Sequence, residues 1–277
     1  MHRPGPFGKA LRLSLAALAV IWSVFPILMV ISASFKPPRE IFAIPPTLIF
    51  TPTLDNYREL WRAWPAFFDN MLNSLIITIG ATAITIAFAT CAGYVYSRYS
   101  SRALTLSAFF MVLVRMLPPI VVTLPLFPVF SYLHLSDTHL VLMLLYAAFF
   151  VSLSTWIMRA FIDQVPRELE EAAVVDGATL LQILRRIVFP LVMNGVIAAS
   201  LFVIVYAWNE YIFALVFTTR DARTTPLVIS EILSTVEGVD WGVLFAAATV
   251  QLAPVLIFVL AAQRYVVAGL AAGAVKG

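Results

Sequence analysis

Two charged residues stand out deep inside stretches that are otherwise apolar, Arg115 and Glu210. Holding a charge away from water costs about 3 kcal/mol or more, so such a residue signals a pairing partner, a water-filled path or a bound solute. Arg115 stands three residues before Pro118-Pro119, and Glu210 follows Trp208-Asn209. Their opposite signs would let them pair with each other, or each could face a water-filled path. Asn209, Gln251, Asn194 and Thr123 add hydrogen-bonding capacity in similar surroundings. The competing role for all of these is structural bonding between helices.

A second group is densely polar. Glu168, Glu170 and Glu171 follow Pro166, then come Ala172, Ala173, Asp176-Gly177 and Thr179. These residues can build a surface for another protein, with Ala172 and Ala173 leaving room for close approach. The alternative is an amphipathic hairpin lying on a membrane with no partner.

Covalent chemistry is not expected. None of the eleven glycines begins a Gly-x4-Gly-Lys-Ser/Thr phosphate loop. His2, His134 and His139 are the only histidines, and none belongs to a set of metal ligands. His134 and His139 fall near span ends, where an interfacial position accounts for them. No Ser/His/Asp set or paired carboxylate at a water-exposed site is apparent. The chain is therefore expected not to be an enzyme, with no metal and no cofactor of its own.

The elements that position these residues follow from composition. Of 277 residues, 61% are hydrophobic and 12% charged, and the mean hydropathy is +0.94. Soluble domains carry about 25% charged residues, so too little polar surface remains to cover a water-facing globule. A disordered chain, a disulfide scaffold and a collagen are excluded on the same grounds. A bilayer core needs about 20 apolar residues per helix. Six runs meet this: 11–33, 70–97, 104–130, 138–158, 191–217 and 243–263. The first is longer than a signal-peptide core and is expected to be retained. Pro118-Pro119 predicts a broken or kinked third span. Cys91 is expected to be a small packing residue.

Charge gives the orientation. Eleven of the 18 basic residues lie in the termini and near 98–102 and 159–190; six lie in 34–69, 131–137 and 218–242. By the positive-inside rule both termini are cytoplasmic. The modest basic excess calls for no nucleic acid. Loop 34–69 is then the largest external segment, a Pro-rich strap ending in a short helix that Asp55 could cap. Residues 159–190 form a cytoplasmic loop of two short helices about a turn at Gly177, the second capped by Thr179.

At this loop the sequence resembles a known family. Glu171-Ala172-Ala173, then Gly177, Ile187 and Pro190 match the EAA pattern of permease subunits of binding-protein-dependent ABC importers. The one departure is Phe189 where leucine is usual. The resemblance runs through nearly the whole chain and is similar to the carbohydrate branch, the maltose-type second permease. It rests on Asn73-Ser74-Leu75, Ala92-Gly93-Tyr94, Leu135-Ser136-Asp137-Thr138, Trp208-Asn209-Glu210 and Gly273 to Gly277.

The resemblance implies an all-α, polytopic membrane protein, a single permease domain over 1–277 with six transmembrane helices and a cytoplasmic coupling loop at 159–190. It implies ATP-driven import of a sugar, polyol or small oligosaccharide, with the protein in a bacterial inner membrane. It implies a second related permease, two copies of a cytoplasmic ATPase that uses the ATP, and an extracytoplasmic solute-binding protein meeting loops 34–69 and 218–242. Glu171, Ala172, Ala173, Asp176 and Gly177 would couple to the ATPase. Arg115, Trp208, Asn209, Glu210 and Gln251 would line the translocation path, Trp208 offering a flat face to a sugar ring. A stand-alone secondary transporter and an intramembrane enzyme are the competing classes. The first calls for repeats and midplane charges, the second for an embedded catalytic pair.

Overall fold

The computed structural model describes residues 6–235 and 238–274. Arg3, His2, Lys276 and the end of the C-terminal motif lie outside the described residues. Among those described, the chain is helical, without strands. In chain order the helices are α1 (Pro6–Ser34), α2 (Asp55–Ala63), α3 (Phe67–Arg98), α4 (Arg102–Arg115), α5 (Pro119–Tyr132), α6 (His139–Ile162), α7 (Arg167–Val175), α8 (Leu180–Ile183), α9 (Phe189–Leu191), α10 (Met193–Trp208), α11 (Ile212–Phe217), α12 (Thr225–Leu233) and α13 (Trp241–Ala274). A π-helical turn, Leu184–Val188, joins α8 to α9.

Four described helices are long and apolar enough to cross a membrane: α1, α3, α6 and α13. The count reaches six when two bent pairs are each taken as one span. The first pair is α4 with α5, bent by 98°. Its break falls at Pro118-Pro119, where Pro118 takes an extended conformation and Pro119 starts the new helix. Proline lacks the N–H that would continue the helical ladder. The second pair, bent by 80°, is Leu180–Leu191 with α10. Here the structure corrects the expected fifth span. Residues 191–217 do not form one rod: α10 stops at Trp208 and α11 restarts at Ile212.

The chain divides into two compact units, where the sequence suggests one domain. The first holds Met1–Phe67 and Val228–Ala253. Within it, the Pro-rich strap is pinned by its polar groups. The Asn56 side-chain amide donates to the carbonyls of Ser34 and Lys36, at 2.8 and 2.9 Å. Lys36 reaches the Thr47 carbonyl at 2.7 Å. Asp55 is not the cap of α2: Leu54 holds that position without a side-chain bond. The Asp55 carboxylate instead accepts from Thr53 and Arg58. Most apolar residues of α1 are exposed within this chain, Trp22 by 83% and Leu13 by 71%.

The second unit holds Phe68–Leu227 and Pro254–Gly277. Its core has two parts. One gathers Ile77, Tyr146, Phe150, Val203, Phe213 and Phe217. The other gathers Ile86, Tyr94, Met158, Ile162, Ile183 and Val188. Ala81, Thr85, Ala89 and Gly93, four residues apart, form one buried stripe of α3. Small side chains let membrane helices approach closely. A Cβ at Gly93 would stand 3.0 Å from the backbone nitrogen of Arg159 and from the Met158 side chain on α6. Thr82, Thr85 and Thr90 bond back to their own helix four residues earlier, which satisfies their hydroxyls in apolar surroundings. Cys91 points away from this stripe and is exposed, contrary to its expected packing role.

Candidate functional site

The helix–turn–helix corner at 166–191 takes its shape from local rules. Pro166 occupies the N-cap of α7, and Glu168 and Glu170 follow in the first turn, where the helix dipole favours acids. Gly177 ends the helix at φ +80°. Its N–H bonds to the Val174 carbonyl and that of Ala178 to the Ala173 carbonyl. This pair is a Schellman ending, which glycine adopts without the Cβ penalty. Thr179 then caps α8 reciprocally with Gln182.

What holds the corner is a residue that sequence reasoning passed over. Glu170, not Glu171, turns inward and is 7% exposed. The Arg98 guanidinium at the end of α3 donates to Glu170 Oε1 through Nη2 at 2.6 Å and Nε at 2.9 Å. The Tyr94 hydroxyl donates to Oε2 at 2.7 Å. Arg98 Nη2 also serves the carbonyls of Ile162 and Val165 beyond α6, at 3.1 and 3.0 Å. One arginine thus ties α3, the end of α6 and α7 together. The available signal was an acid in the same helical phase as Ala173, with Arg98 to neutralise it.

With Glu170 turned in, Glu171, Ala172 and Asp176 are exposed and Ala173 is half-buried. Apolar residues share this surface: Val175 is 87% exposed, Leu181 73% and Val174 60%. A groove of about 440 Å³ runs alongside, between Tyr94, Tyr99, Glu171, Val174, Leu180 and Ile183.

A second constellation lies at the other end of α3. Asn73 and Arg98 are separated by 25 positions, or about 38 Å of helix. The Asp137 carboxylate accepts from the backbone N–H groups of Thr219, Arg220, Asp221 and Ala222 and from the Thr219 hydroxyl. Partial burial alone would raise the Asp137 pKa. The N–H groups of Ala222, Asp221 and Thr219 outweigh it and hold the carboxyl down at about 2. Asn73 donates to the carbonyls of Asp221 and Arg223 and meets His139 Nε2 at 2.7 Å. His139 is thus bound into this clamp. The Thr225 N–H donates to Ser74 Oγ. Segment 219–225 is therefore fixed, and the Arg220 and Asp221 side chains project from it, 91% and 82% exposed.

The residues expected along a path are placed as follows. Arg115 and Glu210 do not pair. Arg115 donates to the Phe149 carbonyl at 3.1 Å. Glu210 accepts from the N–H groups of Phe213 and Ala214, capping α11. Trp208 is 1% exposed, so its ring offers no face to a solute. It sits at the end of α10, where the chain turns into the core. Asn209 bonds back to the Val205 carbonyl and Thr123 to that of Ile120. Gln251 is half-buried on α13, in the first unit, whereas the others belong to the second.

Residues 89–271 match the model of the family described as "Binding-protein-dependent transport system inner membrane component". The trehalose/maltose transport system permease protein MalG of Thermococcus litoralis is 33% identical over 264 residues, 95% of each chain. The trehalose transport system permease protein SugB of Mycobacterium tuberculosis is 34% identical, over 95% of this chain and 96% of that one. Among solved structures, a chain of a bacterial ABC transporter importing the acidic polysaccharide alginate superposes with a TM-score of 0.77. It is 18% identical and covers 96% of this chain and 100% of its own, a likeness of fold.

Proposed function

Because the chain belongs to the family of binding-protein-dependent transport system inner membrane components, we propose that it is the permease subunit of an ATP-driven importer of a sugar, polyol or small oligosaccharide. It is a multi-pass membrane protein, and in this reading it forms half of the translocation path. The carbohydrate class is supported by the trehalose and maltose systems named among its relatives.

The observation that carries the coupling role is the corner at α7–α8. Its outer surface combines exposed Val174, Val175 and Leu181 with the short side chains of Ala172 and Ala173. A lone hairpin resting on a membrane would bury its apolar residues in lipid and leave its anchor soft. This corner is instead fastened to α3 through a buried ion pair. A rigid, partly apolar, acid-bearing projection fits a partner protein that pushes on it. We assign Glu171, Ala172, Ala173, Asp176 and Gly177 to contact with a cytoplasmic ATPase present in two copies, which carries out the ATP hydrolysis. No cofactor of this chain's own enters the scheme. The corner and both termini then face the cytoplasm of a bacterial cell. A second, related permease completes the path. The fixed segment 219–225 at the other end of α3 meets an extracytoplasmic solute-binding protein.

The test is a mild-detergent pull-down of the tagged chain from its own membranes, with mass spectrometry of what accompanies it. A second permease and an ATPase are expected. Ala172→Trp and Gly177→Pro should insert normally but separate ATP hydrolysis from uptake. A chain that came down alone and still transported would overturn the coupling role in favour of a secondary transporter.

A further inference from the structure

Arg115 lies well inside an apolar run, away from its ends, and no carboxylate among the described residues stands within ion-pair distance of it. Its guanidinium lies over the rings of Phe149, Phe202 and Phe150, with centroids at 5.1, 5.6 and 6.0 Å. Those rings cover its faces and offset part of the cost of its charge. Of five N–H donors in a guanidinium, one bonds to the Phe149 carbonyl. Glu210 is occupied in capping α11.

Beside Arg115 lies a cavity of about 140 Å³, bounded by Phe110, Met111, Val114, Phe149 and Ser152. That is well above the roughly 15 Å³ a single water requires. Ser152 is 8% exposed, and its hydroxyl has no partner among the described residues. The cavity therefore places a positive charge with spare donors beside the Ser152 side chain, within largely apolar walls that weaken screening. A neutral occupant would leave the charge uncompensated.

We propose that this cavity is an oxyanion site, where Arg115 holds a carboxylate, sulfonate or phosphate group beside Ser152 in the wall. Two parallel N–H···O bonds from the guanidinium suit such a group. The transported solute brings it, so the imported sugar is an acidic one; that half rests on the importer reading. An anionic lipid headgroup shares the chemistry and is separated by the test.

The experiment uses membranes holding the whole transporter, in a Cys91→Ser background that removes the native thiol. Ser152→Cys places a thiol at the cavity wall. Its modification rate is compared for the anionic sulfonatoethyl and the cationic trimethylammonioethyl methanethiosulfonates, each normalised to its rate with a free thiol. The anionic reagent is expected to react about ten-fold faster. Arg115→Gln should bring the ratio to about one. Equal rates with Arg115 present would overturn the proposal and show a guanidinium already neutralised by a neighbouring subunit. Absence of any modification would overturn it by showing a closed cavity.

Protection by glucuronate but not by glucose supports a solute oxyanion. Protection only by phosphatidylglycerol over phosphatidylcholine in reconstituted vesicles overturns the solute half. Protection by none of these overturns the site. Labelling needs no ATPase, so the charge preference stands or falls separately from the pull-down.

Discussion

Replacing Arg98 by alanine tests what fixes the α7 corner. The Arg98 and Glu170 side chains are 8% and 10% exposed, so little solvent screening weakens the pair. Arg98→Ala strands the Glu170 carboxylate with only the Tyr94 hydroxyl, and it removes a donor from the Val165 carbonyl and one of the two donors from that of Ile162, which keeps the Val165 N–H. Breaking a buried pair from one side costs about 3–5 kcal/mol, whereas replacing both partners by apolar side chains is often close to neutral. The penalty should appear as local opening of α7, because the core around Tyr146 and Phe213 does not touch the pair. Every ~1.4 kcal/mol is a factor of ten. Amide exchange in α7, read by mass spectrometry on the purified transporter in nanodiscs, should therefore accelerate by about two to three orders of magnitude. Exchange in α6 and α10 should stay near its original rate. Arg98→Met combined with Glu170→Leu should restore most of the protection. Unchanged exchange in the single variant, or a double variant as loose as the single, would refute the claim that this pair anchors the corner.

Three other expectations follow from particular contacts. Asp137→Asn should loosen segment 219–225 by about 1 kcal/mol once the depressed pKa is discounted for partial exposure. Because that carboxyl is held down at about 2, its contribution is full above the unfolded value of about 4 and disappears as pH falls toward 2. Melting curves of wild type and variant should therefore converge on acidification. A difference that grows with acid would contradict the assignment. Gly93→Leu should destabilise by about 1–3 kcal/mol, since the neighbours are α6 backbone and Met158 rather than a movable side-chain tip; a melting temperature within error of wild type would count against that close approach. Gly177→Ala should cost about 1 kcal/mol and Gly177→Asn less, as nothing lies within 4 Å of the added Cβ. Equal melting temperatures for the two would show that φ is not what the position selects.

The parts of this molecule governed by local rules can be read from the chain. The glycine turn at 177 and the Thr179 cap depend on neighbours within a few residues. So does the break at Pro118-Pro119. The apolar runs mark where helices cross apolar surroundings, though not where they bend. What stays hidden is rotational phase. Glu170 and Glu171 are adjacent and chemically alike, yet one is buried and the other exposed. The difference is set by Arg98, 72 positions earlier. Trp208 shows the same limit, since an aromatic at a helix end can face a path or the core. The Asp137 clamp joins residues more than 80 positions apart, and the sequence shows an ordinary loop aspartate there.

The π-helical turn at 184–188 gives the distance from Gly177 to Pro190 a mechanical meaning. A π turn holds one residue more than an α turn, and each residue turns a helix by about 100°. The extra residue sets the angle at which the corner at 166–183 joins α10, like a shim between two rods. Deleting one residue from this stretch would let it close into an α turn, removing the local widening and the bend that goes with it. The number of residues between turn and proline is thus part of what shapes the join between the corner and α10. Substitutions here should be tolerated far better than a change in count.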